Sequence, residues 1–329
     1  MADHGPDPAH SRGPAAGSPP APRALVLTGP TAVGKTALAL DVAEALDGEV
    51  ISADSRQVYR GLDVGTAKPT PAERARAPHH GLDLVDPDVR YSAGRFARDA
   101  VRWIDEIAGR GRVPVVVGGT GFFIRALTDP LFREPPMERS RRERLREVLD
   151  GLEPERLRRW LERLDAESAG TLRERGGAQR VLRALEVVLL TGRTLPWWQR
   201  HQPPTTPPLE GPIFVLDLPR DQLYHRINRR VDAMLEAGLV NEVARLLEAG
   251  YGPGAPGMNA TGYPEIAAHL RGELDLDEAA ERIRRRTRGY ARRQLTWFRN
   301  QLPERATWLD GTRPEGELVE EMVGAWRAA

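Results

Sequence analysis

Residues 29–36 read Gly29-Pro30-Thr31-Ala32-Val33-Gly34-Lys35-Thr36, the full spacing of a P-loop. A short apolar run at 23–27 precedes them, and apolar residues at helical spacing follow over 37–46. Strand, glycine loop and helix in that order make an anion nest of backbone N–H groups at a helix N-terminus. Lys35 adds a mobile positive charge, and the Thr36 hydroxyl is placed to ligate Mg²⁺. The chemistry is the holding of a phosphorylated small molecule, whether ATP or a plain diphosphate. Of the 48 basic residues only Lys35 and Lys68 are lysine. A compact, rotatable ammonium differs from a planar guanidinium fork, so both positions call for what arginine cannot supply.

A second polar cluster follows the apolar run 49–53. It begins Asp54-Ser55-Arg56-Gln57 and extends to Lys68-Pro69. In an α/β sheet such a loop lies at the carboxyl edge beside the phosphate site. Asp54 there can act as a general base on a nucleophile or can simply cap a helix. The strongest strand pattern, 113–117, ends not in an acid but in Gly118-Gly119-Thr120-Gly121. The acid that an ATPase uses to hold its metal shell is missing there, which points to group transfer onto a bound acceptor. The glycine cluster brings backbone and one hydroxyl close to a ligand or makes a tight turn. His79-His80 reads as loop without a metal-ligand partner, and Trp197-Trp198 reads as packing in preference to a base-stacking platform.

A helix is expected over 281–301, with Ile283, Thr287, Tyr290, Gln294 and Trp297 on one stripe. Arg285, Arg292 and Arg299 recur at seven-residue spacing, and no acid follows Glu281 on that helix. That face is either solvated or a surface for phosphates and a nucleic-acid backbone.

The elements that must carry these groups alternate strand and helix: strands at 23–27, 49–53, 82–85, 113–117 and 213–218, with a helix at 91–108 among them. The expectation is an α/β fold, a P-loop NTPase-like and mostly parallel sheet with helices on both faces. From 133 to 200 the chain alternates Arg and Glu with Leu at helical spacing and has no strand pattern. That stretch is expected to form an all-helical insertion domain, flanked by a core domain of 23–132 and 201–329. Residues 1–22 read as a disordered tail without the apolar run of a signal peptide. No stretch reaches the roughly 18 apolar residues of a membrane span. Net charge is +1 and cysteine is absent, which excludes disulfides and thiolate metal sites and suits a reducing cytoplasm.

Taken in order, eight segments resemble the bacterial tRNA dimethylallyltransferases, also called tRNA isopentenyltransferases. They are 29–36 (GPTAVGKT), 52–59 (SADSRQVY), 63–69 (DVGTAKP), 78–87 (PHHGLDLVDP), 117–120 (VGGT), 179–187 (QRVLRALEV), Gly262-Tyr263 and 288–299 (RGYARRQLTWFR). The resemblance implies transfer of the dimethylallyl group from dimethylallyl diphosphate to the N6 amine of the adenosine 3′ to the anticodon (position 37). The product is N6-isopentenyladenosine in tRNAs reading codons that begin with U. It implies Mg²⁺, a cytoplasmic monomer and no membrane partner.

By motif match, Asp54 is the general base, Thr120 a contact to the acceptor nucleotide, and Lys35 the charge on the diphosphate. The P-loop residues and Arg230 hold the donor. The positions that fall where the family touches tRNA are Asp54, Ser55, Arg56, Gln57, Thr120 and Arg142; Gln179, Arg180, Val181, Leu182 and Arg183; Asn259, Ala260, Thr261, Gly262, Tyr263 and Pro264; and Arg292, Arg293, Gln294, Leu295, Thr296, Trp297, Phe298 and Arg299. The insertion resembles a mobile lobe that contacts tRNA and closes over the anticodon stem. Two departures stand out. Residues 173–178 read RERGGA where the family has a His-Pro-Asn-Asp segment, and Pro264 replaces a basic residue. Rival readings are transfer to free adenine nucleotides, a small-molecule kinase, and a non-catalytic RNA-binding protein.

Overall fold

The computed structural model describes residues 21–175, 177–204 and 206–329. All but the last two residues of the expected tail lie outside it, as do the side chains of 173–176. The first half runs β1 (Leu25–Thr28), α1 (Lys35–Ala45), β2 (Gly48–Ser52), α2 (Pro71–Arg76), β3 (His79–His80), α3 (Ala93–Gly109), β4 (Val113–Gly118) and α4 (Gly121–Thr128). Five helices follow: α5 (Arg139–Asp150), α6 (Pro154–Leu164), α7 (Ala166–Arg175), α8 (Ala178–Thr191) and α9 (Leu195–His201). The chain then returns as β5 (Ile213–Asp217), α10 (Arg220–Glu236), α11 (Leu239–Glu248), α12 (Tyr263–Leu270), α13 (Leu276–Gln301), β6 (Thr307–Asp310) and α14 (Glu315–Ala328).

The sheet order is β3-β2-β4-β1-β5-β6, and every pairing is parallel. A parallel sheet needs cover on both faces, and the strand residues alternate between two cores accordingly. Val26, Ile51, Val116 and Ile213 face a cluster with Phe96, Ile104 and Ile124 of α3 and α4. Leu25, Leu27, Val50, Val115 and Phe214 face one with Leu38 and Val42 of α1 and Met322 of α14.

Two sequence expectations change, and two further elements appear at the C-terminus. The edge strand is His79-His80 rather than 82–85: Val50 N donates to Pro78 O at 2.9 Å and the histidines pair with Val50 and Ile51. Leu84 and Val85 instead hydrogen-bond the loop 57–60, with Leu84 N donating to Val58 O at 2.8 Å and Arg60 N to Val85 O at 2.9 Å. The helix foreseen at 91 starts at Ala93, where the Ser92 side chain caps it by accepting from Arg95 N. The C-terminal β6 and α14 extend the sheet and cover α1 through Leu318 and Met322; β6 is too short and too exposed to leave an apolar run.

The helices α5–α9 pack on one another around Leu149, Leu157, Leu161, Val181, Leu182 and Leu185. The chain leaves and re-enters the sheet domain at one neck. Phe132 bridges Pro204 in antiparallel fashion, Arg133 N donates to Pro203 O at 3.2 Å, and Leu209 N donates to Leu127 O at 2.8 Å. Among the described residues no helix is long and apolar enough to cross a membrane.

Candidate active site

The carboxyl ends of β1, β2 and β4 lie side by side, with Thr28 in register with Gly118 and Ser52 with Val117. The loops that leave them are the P-loop, the Asp54 turn and the Gly-Gly-Thr turn, so the three sequence motifs meet at one edge. Gly29 (φ 148°) lies against β5: a Cβ there would stand 2.3 Å from Leu216 O, so no side chain fits. Helix α1 begins at Lys35 with no side-chain cap and no acid in its first turn. Its first N–H groups and positive dipole end are left for an anion.

Lys35 is half-buried, and its Nζ donates to Gly29 O at 3.0 Å and Pro30 O at 2.7 Å. Burial and then the Arg230 guanidinium lower its pKa to about 7, against the opposing pull of Asp54. Arg230 is held down by burial as well. Two cations crowded at one site are stabilised by an arriving anion. Arg226, one helical turn before Arg230 on α10, donates to Val33 O at 3.0 Å and so touches the P-loop directly.

Asp54 Oδ1 accepts from Arg56 N at 2.7 Å. That is a turn cap rather than a helix cap, and it uses one oxygen; Oδ2 has no hydrogen-bond partner among the described residues. Thr120 ties the acceptor-side turns together. Its hydroxyl accepts from Ser55 N at 2.9 Å and donates to Ser55 Oγ at 3.2 Å.

Two cavities open here. One, of about 700 Å³, is lined by Thr31, Lys35, Thr36, Ser52, Asp54, Gln57, His79, Gly119 and Arg230. The other, of about 1190 Å³, is lined by Asp54, Ser55, Arg56, Gly65, Thr66, Asn259, Ala260, Thr261, Arg286, Thr287 and Arg293. Thr31, Asp54, Arg230 and Tyr290 line both. The free Asp54 oxygen is therefore carried at the junction between a phosphate-binding pocket and a roomy polar one. Tyr290 is pushed up to about 12, by burial first and then by Asp54, and stays a protonated phenol at neutral pH.

The wall of the larger cavity depends on residues the motifs did not single out. Glu242 is buried, and its carboxylate accepts from Asp63 N (2.9 Å), Val64 N (2.7 Å), Gly65 N (3.0 Å) and the Tyr263 hydroxyl (2.7 Å). A signal was present: Leu239, Glu242, Val243 and Leu246 form one helical stripe, and a lone acid on an apolar stripe needs buried partners. The scarce Lys68 is explained by the same loop. Its buried ammonium donates to Tyr59 O (2.6 Å), Asp63 Oδ1 (2.7 Å) and Asp83 Oδ1 (2.5 Å), three acceptors around a rotatable three-donor head. Lys68 is thus a lock beneath the site. Gln57 helps it, accepting from the Ser52 hydroxyl and donating to Ala67 O.

The segments expected to meet tRNA divide by burial. Asn259, Ala260 and Thr261 line the larger cavity, although Ala260 is itself buried. Tyr263 is wholly buried, Gly262 N donates to Glu265, and Pro264 stands in the first turn of α12. Val181 and Leu182 face the core of the insertion, leaving Gln179 and Arg180 exposed. Arg142, Arg146 and Arg183 gather on the buried Glu186, and Arg142 and Arg183 also reach Glu134. None of these insertion residues lines either cavity.

On α13, Arg292, Arg293, Thr296 and Arg299 are exposed, Leu295 and Trp297 are half-buried, and Gln294 and Phe298 are buried. Arg299 pairs with Asp217 at 3.6 Å. Arg285 and Arg292 have no ion-pair partner among the described residues. Trp197 stacks on His201 and Trp198 Nε1 donates to Thr191, a packing arrangement.

Among the described residues no group of three His, Cys, Asp or Glu could hold a metal. Mg²⁺ beside a phosphate takes most of its oxygens from phosphate and water, so the Thr36 hydroxyl in the phosphate pocket fits that ion.

Two family models match the chain: IPP transferase over residues 57–301 and isopentenyl transferase over 22–78. It is similar to the tRNA dimethylallyltransferase of Geobacter metallireducens, at 46% identity across 84% of this chain and 89% of that one. Its fold is similar to the crystal structure of a tRNA isopentenylpyrophosphate transferase from Bacillus halodurans (TM-score 0.67, 37% identity, 92% of this chain and 95% of that one). It is also similar to a eukaryotic dimethylallyltransferase captured acting on tRNA (TM-score 0.74, 28% identity, 88% and 74%).

Proposed function

The chain belongs to the IPP transferase family, and from that membership we propose the following reaction. It is an enzyme that transfers a dimethylallyl group to tRNA. The donor is dimethylallyl diphosphate, and the acceptor is the N6 amine of the adenosine 3′ to the anticodon. The observation that carries this reading is Asp54 at the junction of the two cavities, beside Arg230 and within the reach of Lys35's field.

The diphosphate lies on the P-loop amides with Lys35 and Arg230 offsetting its charge; Mg²⁺, held through Thr36, supplies further neutralisation when bound. The adenine enters the larger cavity unstacked, as chemistry on a base requires. The amine nitrogen's electron pair forms the N–C1 bond as the C1–O bond breaks and its pair leaves on the diphosphate. The amine proton goes to Asp54 Oδ2. Ser55 and Thr120 hold the Asp54 turn against the Gly119 turn, and Tyr290 and Arg293 border the adenine's side.

Exposed Arg285, Arg292 and Arg293 with the arginine-rich insertion favour a macromolecular acceptor over a free nucleotide. We read the insertion as the lobe that closes over the anticodon stem. A tRNA acceptor supports a cytoplasmic enzyme. The test is incubation of purified protein with tRNA, Mg²⁺ and dimethylallyl diphosphate, followed by nucleoside mass analysis. A gain of one dimethylallyl group on adenosine is expected; phosphate transfer from ATP without it would favour a kinase.

A further inference from the structure

We infer that Gln294 is a positioning residue that sets the distance between donor and acceptor, and not a contact to tRNA. The inference rests on the transfer reaction above. Gln294 is 6% exposed, on the inner face of α13. Its Oε1 accepts from Thr31 N at 2.9 Å, and its Nε2 donates to Gly119 O at 2.7 Å. Thr31 belongs to the P-loop that takes the diphosphate. Gly119 belongs to the turn whose next residue, Thr120, holds Ser55 beside Asp54. One planar amide therefore spans the donor loop and the acceptor-side turn, with both polar ends used.

Two consequences follow from this geometry. First, the Thr31 N–H is withdrawn from the anion nest, so the diphosphate is held by the remaining amides, Lys35 and Arg230. Second, the spacing between the P-loop and the Gly119 turn is fixed by a rigid side chain rather than by loop entropy. A reacting pair misplaced by about 1 Å can lose about 10²-fold in rate. The nearest substitutes fail at one end or the other. A carboxylate lacks the donor for Gly119 O, a lysine lacks the acceptor for Thr31 N, and asparagine is one methylene short.

The test uses full-length protein, tRNA and labelled dimethylallyl diphosphate under single-turnover conditions. Two products are counted: dimethylallyl-adenosine, and dimethylallyl alcohol formed when water attacks C1 in place of the amine and diphosphate leaves. Gln294→Met keeps the side chain's length and removes both hydrogen bonds. The transfer rate is expected to fall at least tenfold, with tRNA affinity within twofold of wild type and a several-fold rise in the ratio of alcohol to transferred product. An unchanged ratio in folded Gln294→Met protein would overturn the inference. So would a wild-type rate, or a tRNA affinity that falls in step with the rate.

Gln294→Glu keeps the Thr31 acceptor and the shape, loses the donor to Gly119 O and adds a negative charge to the phosphate pocket; the product ratio at saturating donor, which weaker donor binding does not move, reads the Gly119 end should the methionine variant not fold. A raised alcohol ratio is again expected, and an unchanged ratio overturns the inference. Absence of transfer by the wild type would defeat the functional reading itself; normal wild-type transfer with a normal variant ratio defeats only the bridge.

Discussion

Glu242 and Tyr263 meet through a 2.7 Å hydrogen bond directly under the backbone of 63–65. The carboxylate makes its other bonds to three successive backbone N–H groups, and the Tyr263 ring presses on Gly65, where a Cβ would stand 2.7 Å from it. Removing the phenol oxygen by Tyr263→Phe leaves the other three bonds and is expected to cost about 1 kcal/mol of stability. Gly65→Ala displaces the ring and the loop together and should cost more. Equilibrium denaturation of both variants checks the ranking, and a Gly65→Ala as stable as wild type would mean the loop yields freely.

For the proposed general base, Asp54→Asn keeps the Arg56 N contact but removes the negative charge and most of the basicity. Fold and tRNA affinity are expected to hold while the single-turnover transfer rate drops by about 10²-fold. Full activity in a well-folded variant would remove Asp54 from the mechanism. A lower melting temperature with normal turnover would mark it as a turn cap only.

Lys35 gives a pH signature. With its pKa lowered to about 7 in the free protein, the lysine is charged at pH 6 and mostly neutral at pH 8. Diphosphate raises the pKa on binding, so above pH 7 binding captures a proton and affinity falls by up to tenfold per pH unit. For folding without the diphosphate the sign is opposite: the buried ammonium is a cost that is full below pH 7 and is relieved as pH rises from 7 toward 10.5, so stability rises where affinity falls. Calorimetry in two buffers of different ionisation heat should find proton uptake at pH 8 and little at pH 6, absent in Lys35→Met. Equal uptake in wild type and variant would refute the assignment.

The arginines of α13 are not equivalent. Among the described residues Arg285 and Arg292 have no ion-pair partner, whereas Arg299 is held by Asp217 and lies over the Trp308 ring. Neutralising Arg285 and Arg292 together should weaken tRNA binding and flatten its salt dependence by somewhat under one unit of slope for each phosphate that is no longer neutralised. Adding Arg299→Gln should change the slope less. An unaltered slope in the double variant would make the stripe plain solvated surface.

The sheet and its site edge were legible because buried parallel strands leave apolar runs and phosphate loops leave glycines. Both signals are local. What was not legible is what depends on partners distant in sequence. Gln294 stood on the stripe of Ile283, Thr287, Tyr290 and Trp297 and within a segment expected to touch tRNA, and only the approach of α13 to Thr31 and Gly119 reveals its two bonds. Glu242 looked like an ordinary helix acid except for its place on an apolar stripe. Val181, Leu182 and Phe298 fell within segments expected to touch tRNA because a motif marks a stretch, whereas burial decides residue by residue. His79-His80 escaped as a strand since two residues carry no period.

The neck at Phe132 and Pro204 has a consequence for how the chain acquires its structure. The sheet needs β5 to lie beside β1, yet the helices α5–α9 intervene. Since both ends of that segment emerge together, the sheet experiences it as a closed loop, whose entropic penalty grows only with the logarithm of its length and amounts to about 4 kcal/mol. The two units can therefore condense in either order. A break made within α5–α9 would leave the pairing of β1 with β5 intact, whereas a break in the sheet would scatter residues that no single segment can reassemble.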